Sequence, residues 1–167
     1  GIIDRLRTAR PDLVLSSDFI VGHPGERDRD FADTLRLIND IGFTQAYSFK
    51  YSPRPGTPAA AALDQVPEAV KSERLAGLQQ LLNAQQLAFN HAAEGTTQAV
   101  LFERAGNQDG QLVGRGPYMQ SIHCAGPESL IGQIAAVEIT AGHANSLAGV
   151  LKPTAPAATN GTERIQA

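Results

Sequence analysis

The fold of this chain is decided by the stretch Ser17-Asp18-Phe19-Ile20-Val21-Gly22-His23-Pro24-Gly25-Glu26. Its apolar part, together with Leu13-Val14-Leu15, predicts a strand buried on both faces, the pattern of a parallel sheet. The strand ends at Gly22, because Pro24 has no N–H to donate to a sheet and glycines permit positive φ. Acidic residues from Glu26 onward suit the first turn of a helix. The turn would then lie at the sheet edge where α/β folds bind ligands. In the alternative interpretation, its glycines serve only geometry and Glu26 caps the helix.

Size and composition restrict the class of protein. The chain has 167 residues, a formal net charge of -3 and 42% hydrophobic residues, which suits one soluble domain or two small ones. It contains no apolar run long enough for a membrane span and no signal-peptide pattern, so no membrane partner is expected. A single cysteine, Cys124, excludes an internal disulfide framework and a multi-cysteine metal site within the chain. We therefore expect a cytoplasmic location. Residues 1–7 look like the end of a helix without its cap, which predicts a piece of a longer protein.

The next segment predicts a βαβ unit. Phe31, Leu35 and Ile38 recur at helical spacing before Gly42, and residues 44–51 form an aromatic-rich second strand. Strands joined by such a crossover are parallel, so the loop after the second strand opens on the same edge as the first turn. That loop holds Arg54 among three prolines, Pro53, Pro55 and Pro58. Arg54 is either a preorganised ligand contact or an incidental residue on a rigid connector.

A long helix over residues 67–92 follows, beginning with Pro67 at its first position. Leucines at helical spacing form its apolar stripe. The opposite face is expected to be solvated, and it carries Glu73, Arg74, Gln79, Gln80 and Asn83.

Beyond residue 92 the pattern becomes β-rich. Residues 93–152 contain about five short strands separated by Gly/Pro turns, which predicts a small closed barrel of the oligonucleotide-binding kind. Residues 153–167 are rich in Pro, Ala, Thr and Gly and predict a disordered tail. The predicted domains are therefore residues 1–92, 93–152 and the tail.

Three stretches in this order resemble one family. They are Asp18 to Glu26, then Tyr51-Ser52-Pro53-Arg54-Pro55-Gly56-Thr57-Pro58-Ala59, then a β-module with Gly114-Arg115 and Asn145-Ser146-Leu147-Ala148-Gly149. Together they resemble the C-terminal part of the radical S-adenosylmethionine methylthiotransferases. The resemblance implies an α/β fold, the C-terminal part of a radical SAM βα barrel, followed by a small all-β TRAM barrel. The run Gly114-Arg115-Gly116-Pro117-Tyr118-Met119-Gln120 favours the tRNA branch, the MiaB type.

The resemblance also implies a reaction and its cofactors. That branch uses S-adenosylmethionine and two 4Fe–4S clusters to add a methylthio group to an isopentenylated adenosine beside the anticodon. The implied partners are the tRNA anticodon stem-loop and an electron donor for the clusters. The family's cluster cysteines, a CxxxCxxC motif and three more, are absent from this sequence. We therefore expect no metal site, no catalytic residue, no retained cofactor and no activity from this chain alone.

Site residues are carried over by motif. The resemblance implies cofactor contacts from Gly22, Pro24, Gly25, Glu26, Lys50, Tyr51 and Ser52. It implies substrate contacts from Arg54 and, in the β-module, from Arg104, Arg115, Tyr118, Gln120 and His123. His23 stands where the family more often has Phe, and no acid–base role is assigned to it.

Charge argues against a strong RNA site in the β-module. The module has three basic residues, Arg104, Arg115 and Lys152, and four acidic ones, Glu103, Asp109, Glu128 and Glu138. Because phosphate contacts dominate RNA affinity, this balance is not that of a basic RNA-binding patch. The basic and aromatic residues either form one local face for unpaired bases or are scattered over the surface. Two alternatives to the tRNA enzyme stay open. One is an RNA-binding TRAM module without catalysis of its own. The other is a methylthiotransferase acting on another modified adenosine or on a ribosomal-protein aspartate.

Overall fold

A computed structural model describes residues 1–153 and divides the chain into two compact units, Gly1–Ala92 and the unit that begins at Ala93. Apart from Pro153, the tail predicted to be disordered lies outside the described residues.

The first unit is an α/β segment built around a parallel strand pair. Its elements are α1 (Ile2–Ala9), β1 (Ser16–Val21), α2 (Asp28–Ile41), β2 (Gln45–Lys50), α3 (Pro58–Ala61) and α4 (Glu68–Ala92). β1 and β2 pair in parallel from Ser16↔Gln45 to Val21↔Lys50, so the predicted βαβ unit is confirmed. Gly42 ends α2 with φ 67°, as a left-handed C-terminal residue does.

The core of this unit lies between one face of the strand pair and the helices α2 and α4. Its buried members are Val21, Ile38, Phe43, Leu78 and Leu82. Phe19 and Phe43 add an edge-to-face ring contact at 5.3 Å between centroids. Each such side chain contributes about 1.5–3 kcal/mol when fully buried, so this one face holds the strands against the helices.

The prediction that the first strand is buried on both faces is wrong. β1 is shorter than predicted, and its exposed positions alternate with partly or fully buried ones. On the open face Ile20 is 60% exposed, Tyr47 60% and Phe49 53%. An apolar run does not distinguish a strand covered on both sides from one covered on a single side, and within the described residues the core forms on one side only.

The helix α4 begins at Glu68, one residue after the predicted start. The prediction of a solvated outer face is wrong for Arg74, which is 6% exposed. Helical spacing predicts the apolar stripe of a helix. It does not predict that carboxylates distant in the chain pair with an arginine and allow it to be buried.

The second unit is a closed five-stranded barrel, which confirms the predicted fold. Its strands are β3 (Thr97–Ala105), β4 (Gln111–Arg115), β5 (Ser121–Ala125), β6 (Ile134–Gly142) and β7 (Leu147–Leu151). They pair in the order β3-β4-β5-β7-β6, with β5 and β7 parallel and the other pairs antiparallel. Alternate residues such as Val100, Phe102 and Ile122 fill the interior. A short 3₁₀ turn, Glu128–Leu130, precedes β6.

Candidate functional site

A cavity of about 660 Å³ lies on the open face of the strand pair, at its carboxyl edge. It is lined by Asp18, Ile20, His23, Phe49, Lys50, Tyr51, Ser52, Arg54, Thr57 and Ala59. The structure thus brings together four residues predicted from the second loop, Lys50, Tyr51, Ser52 and Arg54. Aromatic and aliphatic walls with a few charged groups are typical of a small-molecule pocket.

Sequence reasoning did not assign Asp18, Ile20 and Phe49 to this cavity. Alternation was the available signal: residues 18 and 20 share one face of β1, and residue 49 is the register partner of residue 20 on β2. The apolar run, which predicts a strand buried on both faces, hides that alternation.

Tyr51 is positioned by two backbone hydrogen bonds and one ring contact. Its N–H donates to the carbonyl of Val21 at 2.8 Å, and its carbonyl accepts from Nζ of Lys71 at 3.3 Å. Its ring meets the His23 ring edge-on, with 5.1 Å between centroids. The hydroxyl oxygen is buried and has no hydrogen-bond partner among the described residues. An unpaired buried polar atom is costly, and because this oxygen has less than 1 Å² of exposed surface, a ligand in the cavity would reach it only after a local rearrangement.

Arg54 projects from a braced loop. Its carbonyl accepts from the N–H of Thr57 at 3.2 Å and from the hydroxyl of Thr57 at 2.8 Å. The Thr57 hydroxyl also accepts from the N–H of Ala60 at 3.3 Å, which caps α3. Arg54 itself is exposed, and within residues 1–153 its guanidinium makes no hydrogen bond. A fixed backbone with an uncommitted cation suits recognition of an anionic or carbonyl group.

Lys50 is tethered to α4 rather than free in the cavity. Its ammonium donates to Oε1 of Glu68, and its Nζ lies 3.4 Å from Oγ of Ser72. The hydrogen bond from Lys50 keeps the pKa of Glu68 below its usual value. The end of β2 is therefore fastened to the first turn of α4.

The turn after β1 is organised internally. Oε2 of Glu26 accepts from the N–H of Gly22 at 3.0 Å, and the N–H of Gly25 donates to the carbonyl of Asp64 at 3.0 Å. The interpretation of Glu26 as a helix cap is wrong, because α2 begins two residues later and Asp30 accepts the N–H of Arg27 instead. That hydrogen bond keeps the pKa of Asp30 below its usual value.

Of the cofactor contacts predicted in this turn, Gly22, Pro24, Gly25 and Glu26, none is among the residues lining the 660 Å³ cavity. Gly25 and Glu26 border a separate depression of about 570 Å³ beside Arg74. The turn therefore adjoins the cavity through His23.

In the barrel, three predicted RNA contacts share the outer face of β3, β4 and β5. Arg104 and His123 are both register partners of Val113, and Arg115 lies two residues further along β4. Arg115 is already engaged: its Nε lies 3.4 Å from Oε2 of Glu103, and Nη1 donates to the carbonyl of Met119 at 3.0 Å. Tyr118 and Gln120 are half-buried in the β4–β5 connection beside this face.

Three further properties bear on the class of site. Between residues 1 and 153 there is no group of three or more histidine, cysteine, aspartate or glutamate side chains that could hold a metal ion. Cys124 is buried in the barrel, and burial raises the pKa of its thiol. None of the helices in the described part of the chain combines the length and apolar character that a membrane crossing requires.

Comparison with known proteins identifies the class and then the relatives. Residues 92–152 match the TRAM domain. The chain is 60% identical over 149 residues to the tRNA-2-methylthio-N(6)-dimethylallyladenosine synthase of Rickettsia conorii, which covers 89% of this chain and 34% of that protein. The synthase of the same name from Rickettsia bellii gives 60% identity over 89% of this chain and 33% of its own length. The match is to the C-terminal region of these proteins, so the resemblance to the methylthiotransferase family is confirmed. The chain spans about a third of the length of these relatives.

Proposed function

We propose that this chain forms the C-terminal part of a cytoplasmic tRNA methylthiotransferase, which adds a methylthio group to an isopentenylated adenosine beside the anticodon. The observation that supports the proposal most is the cavity of about 660 Å³ at the carboxyl edge of β1 and β2. Eight of its ten lining residues belong to the two motifs, residues 18–26 and 51–59, that carry the resemblance to the family.

The cavity fits the adenosyl part of S-adenosylmethionine. Its volume lies within the range of about 300–1,000 Å³ for small-molecule sites. Ile20 and Phe49 offer apolar walls for a planar base. Lys50, Tyr51 and Ser52 would hold the adenosyl group, and Arg54 would orient the substrate. When bound, S-adenosylmethionine supplies the radical chemistry of the proposed reaction.

The residues of this chain do not fit an iron–sulfur cluster. A 4Fe–4S cluster takes several thiolates, and Cys124 is the only cysteine in the sequence. No step of the proposal runs through a cluster held here. The two clusters and their electron donor are assigned to the complete enzyme, not to residues of this chain.

For the barrel we propose a supporting role in tRNA binding. Arg104, Arg115 and His123 share one outer face, and Tyr118 adjoins it. Since Glu103 neutralises part of the charge of Arg115, few phosphates are contacted and stacking on unpaired bases of the anticodon stem-loop contributes more.

The experiment is a chimera in which this chain replaces the matching C-terminal region of the Rickettsia conorii synthase. It is expressed in a bacterium without its own synthase, and tRNA nucleosides are measured by mass spectrometry. We expect methylthio-isopentenyladenosine, and we expect Arg54→Ala to lower it at least about tenfold with unchanged soluble protein, since an orienting charged contact contributes about 1.4 kcal/mol or more. Arg36→Ala is the matched control, because Arg36 is an exposed arginine of α2 that pairs with the exposed Asp33 at 3.0 Å.

Other outcomes separate the alternatives. A soluble chimera that binds tRNA without modifying it would leave only the RNA-binding module. A methylthio group on another adenosine or on a ribosomal-protein aspartate would change the assigned substrate. If Arg54→Ala lost soluble protein but kept normal activity per folded molecule, Arg54 would be a structural residue.

A further inference from the structure

The inner face of α4 carries two buried cations. Lys71 and Arg74 lie three positions apart, and each is 6% exposed. A buried charge is unfavourable unless it is paired and hydrogen-bonded. Neither residue lines the 660 Å³ cavity. The groups to which they hydrogen-bond therefore indicate which part of the structure they stabilise.

Lys71 contacts the residues that follow β1 and β2. Its Nζ donates to the carbonyl of Tyr51 at 3.3 Å and lies 5.6 Å from the centroid of the Tyr51 ring. A carboxylate oxygen of Glu68 pairs with it at 3.5 Å. Its aliphatic stem fills the space beside Gly22, where an added Cβ would lie 2.3 Å from Cγ of Lys71. One side chain thus contacts the turn after β1 and hydrogen-bonds to Tyr51, a residue that lines the cavity.

Arg74 holds the rest of the turn. Nη1 donates to the carbonyl of Glu26 at 3.2 Å and to Oε1 of Glu26 at 2.8 Å, while Nη2 donates to Asp28 at 2.7 Å. The guanidinium also lies over the Phe31 ring, 5.7 Å from its centroid. Glu26 then accepts the N–H of Gly22 through its other oxygen. The guanidinium of Arg74 therefore orients the Glu26 carboxylate, and this carboxylate in turn stabilises the turn through Gly22.

We propose that Lys71 and Arg74 are positioning residues for the cofactor cavity. They act through other groups: Lys71 through Tyr51 and the Gly22 backbone, Arg74 through Glu26. Their effect on a ligand rests on the proposed function, whereas their effect on the turn does not. The geometry of the cavity is then set by a helix whose two cations do not line it.

The first test measures the turn itself, without ligand. Hydrogen exchange followed by mass spectrometry is applied to the 167-residue chain and to Lys71→Met and Arg74→Met, which keep apolar bulk and remove the charge. We expect exchange at Gly22, Gly25 and Tyr51 to accelerate about tenfold or more, since hydrogen bonds to charged groups are the strong ones. Peptides of β2 and of the α4 core should change less than about twofold, because the hydrogen bonds removed lead to Tyr51, Glu26 and Asp28.

Matched controls separate positioning from loss of fold. Arg36→Met removes an exposed arginine with a carboxylate partner, and Lys152→Met removes an exposed lysine paired with Glu138 at 3.0 Å. Neither should change exchange in the turn. Arg74→Lys keeps the charge but loses the fork, so it should restore protection only in part. Glu26→Gln with Arg74→Met removes the buried carboxylate that the single variant leaves unpaired, and it should keep the helices protected while the turn stays fast.

The second test measures ligand binding in the Rickettsia chimera, by equilibrium dialysis with labelled S-adenosylmethionine. We expect Lys71→Met and Arg74→Met to weaken binding about tenfold, with Arg74→Lys intermediate and Arg36→Met unchanged. Turn exchange as slow in both variants as in the parent would overturn the positioning role. Accelerated exchange with unchanged ligand affinity would also overturn it, because the cavity would not depend on the turn. A parent chimera that binds no S-adenosylmethionine would overturn the proposed function, while the exchange result still decides whether the cations hold the turn.

Discussion

The contact between Gly22 and Lys71 predicts the cost of a single methyl group. Gly22 has φ 72° and Gly42 has φ 67°, so alanine is strained at both positions by about 1–2 kcal/mol. They differ in space: nothing lies within 4 Å of an added Cβ at Gly42, whereas Cγ of Lys71 would lie 2.3 Å away at Gly22. Overpacking adds about 1–3 kcal/mol. Gly22→Ala should therefore destabilise the first unit by about 1–3 kcal/mol more than Gly42→Ala does.

The assay is urea unfolding followed by the helical circular dichroism signal, because every α-helix in the described residues belongs to the first unit. In a Lys71→Ala background most of the excess cost of Gly22→Ala should disappear, since Cγ and Cδ are gone and only the Cβ contact at 3.3 Å remains. The coupling free energy measures the overlap. Equal costs for Gly22→Ala and Gly42→Ala in the parent would refute the packing of the Lys71 stem against the turn. The positioning role of Lys71 would then rest on its hydrogen bond to Tyr51 alone and not on packing against Gly22.

Three further outcomes follow from the same structure. Residues 1–92 expressed alone should bind a hydrophobic dye or self-associate through the open strand face; a monodisperse monomer with a sharp thermal transition would contradict this. The Cys124 thiol, with its pKa raised by burial, should resist alkylation until denaturant is added, and rapid labelling of the folded chain would show an open barrel. The contribution of the buried neutral thiol to stability is fully present below the pKa of the unfolded thiol and is lost as pH rises through the higher folded value. Arg115→Ala with Tyr118→Ala should abolish a weak tRNA affinity of the chain with a shallow salt dependence, and equal binding by parent and variant would place the RNA contacts elsewhere.

Local signals predicted most of the fold. Helical spacing of Phe31, Leu35 and Ile38 and the glycine turns define the βαβ unit, and short strands between Gly/Pro turns define the barrel. Such signals act within a few residues, so a single chain displays them.

What sequence reasoning missed depends on partners distant in the chain. Arg74 is 48 residues from Glu26, and no periodicity links the two, so a buried fork was taken for a solvated side chain. For the same reason the sequence leaves open whether Glu26 caps the helix. The cavity was half predicted: its loop residues follow from the motif that contains Arg54, while Ile20 and Phe49 required knowing which face of the strands stays open.

The central claim is that the cavity at the carboxyl edge of β1 and β2 binds the adenosyl cofactor. A photoreactive adenosyl analogue of S-adenosylmethionine, crosslinked to the Rickettsia chimera and mapped by mass spectrometry, tests it most directly. The account predicts labelling in the tryptic peptide of residues 51–71, which begins after Lys50 and contains Tyr51, Ser52 and Arg54, and suppression of that label by excess S-adenosylmethionine. Label confined to the barrel, or to the Rickettsia part of the chimera, would contradict it.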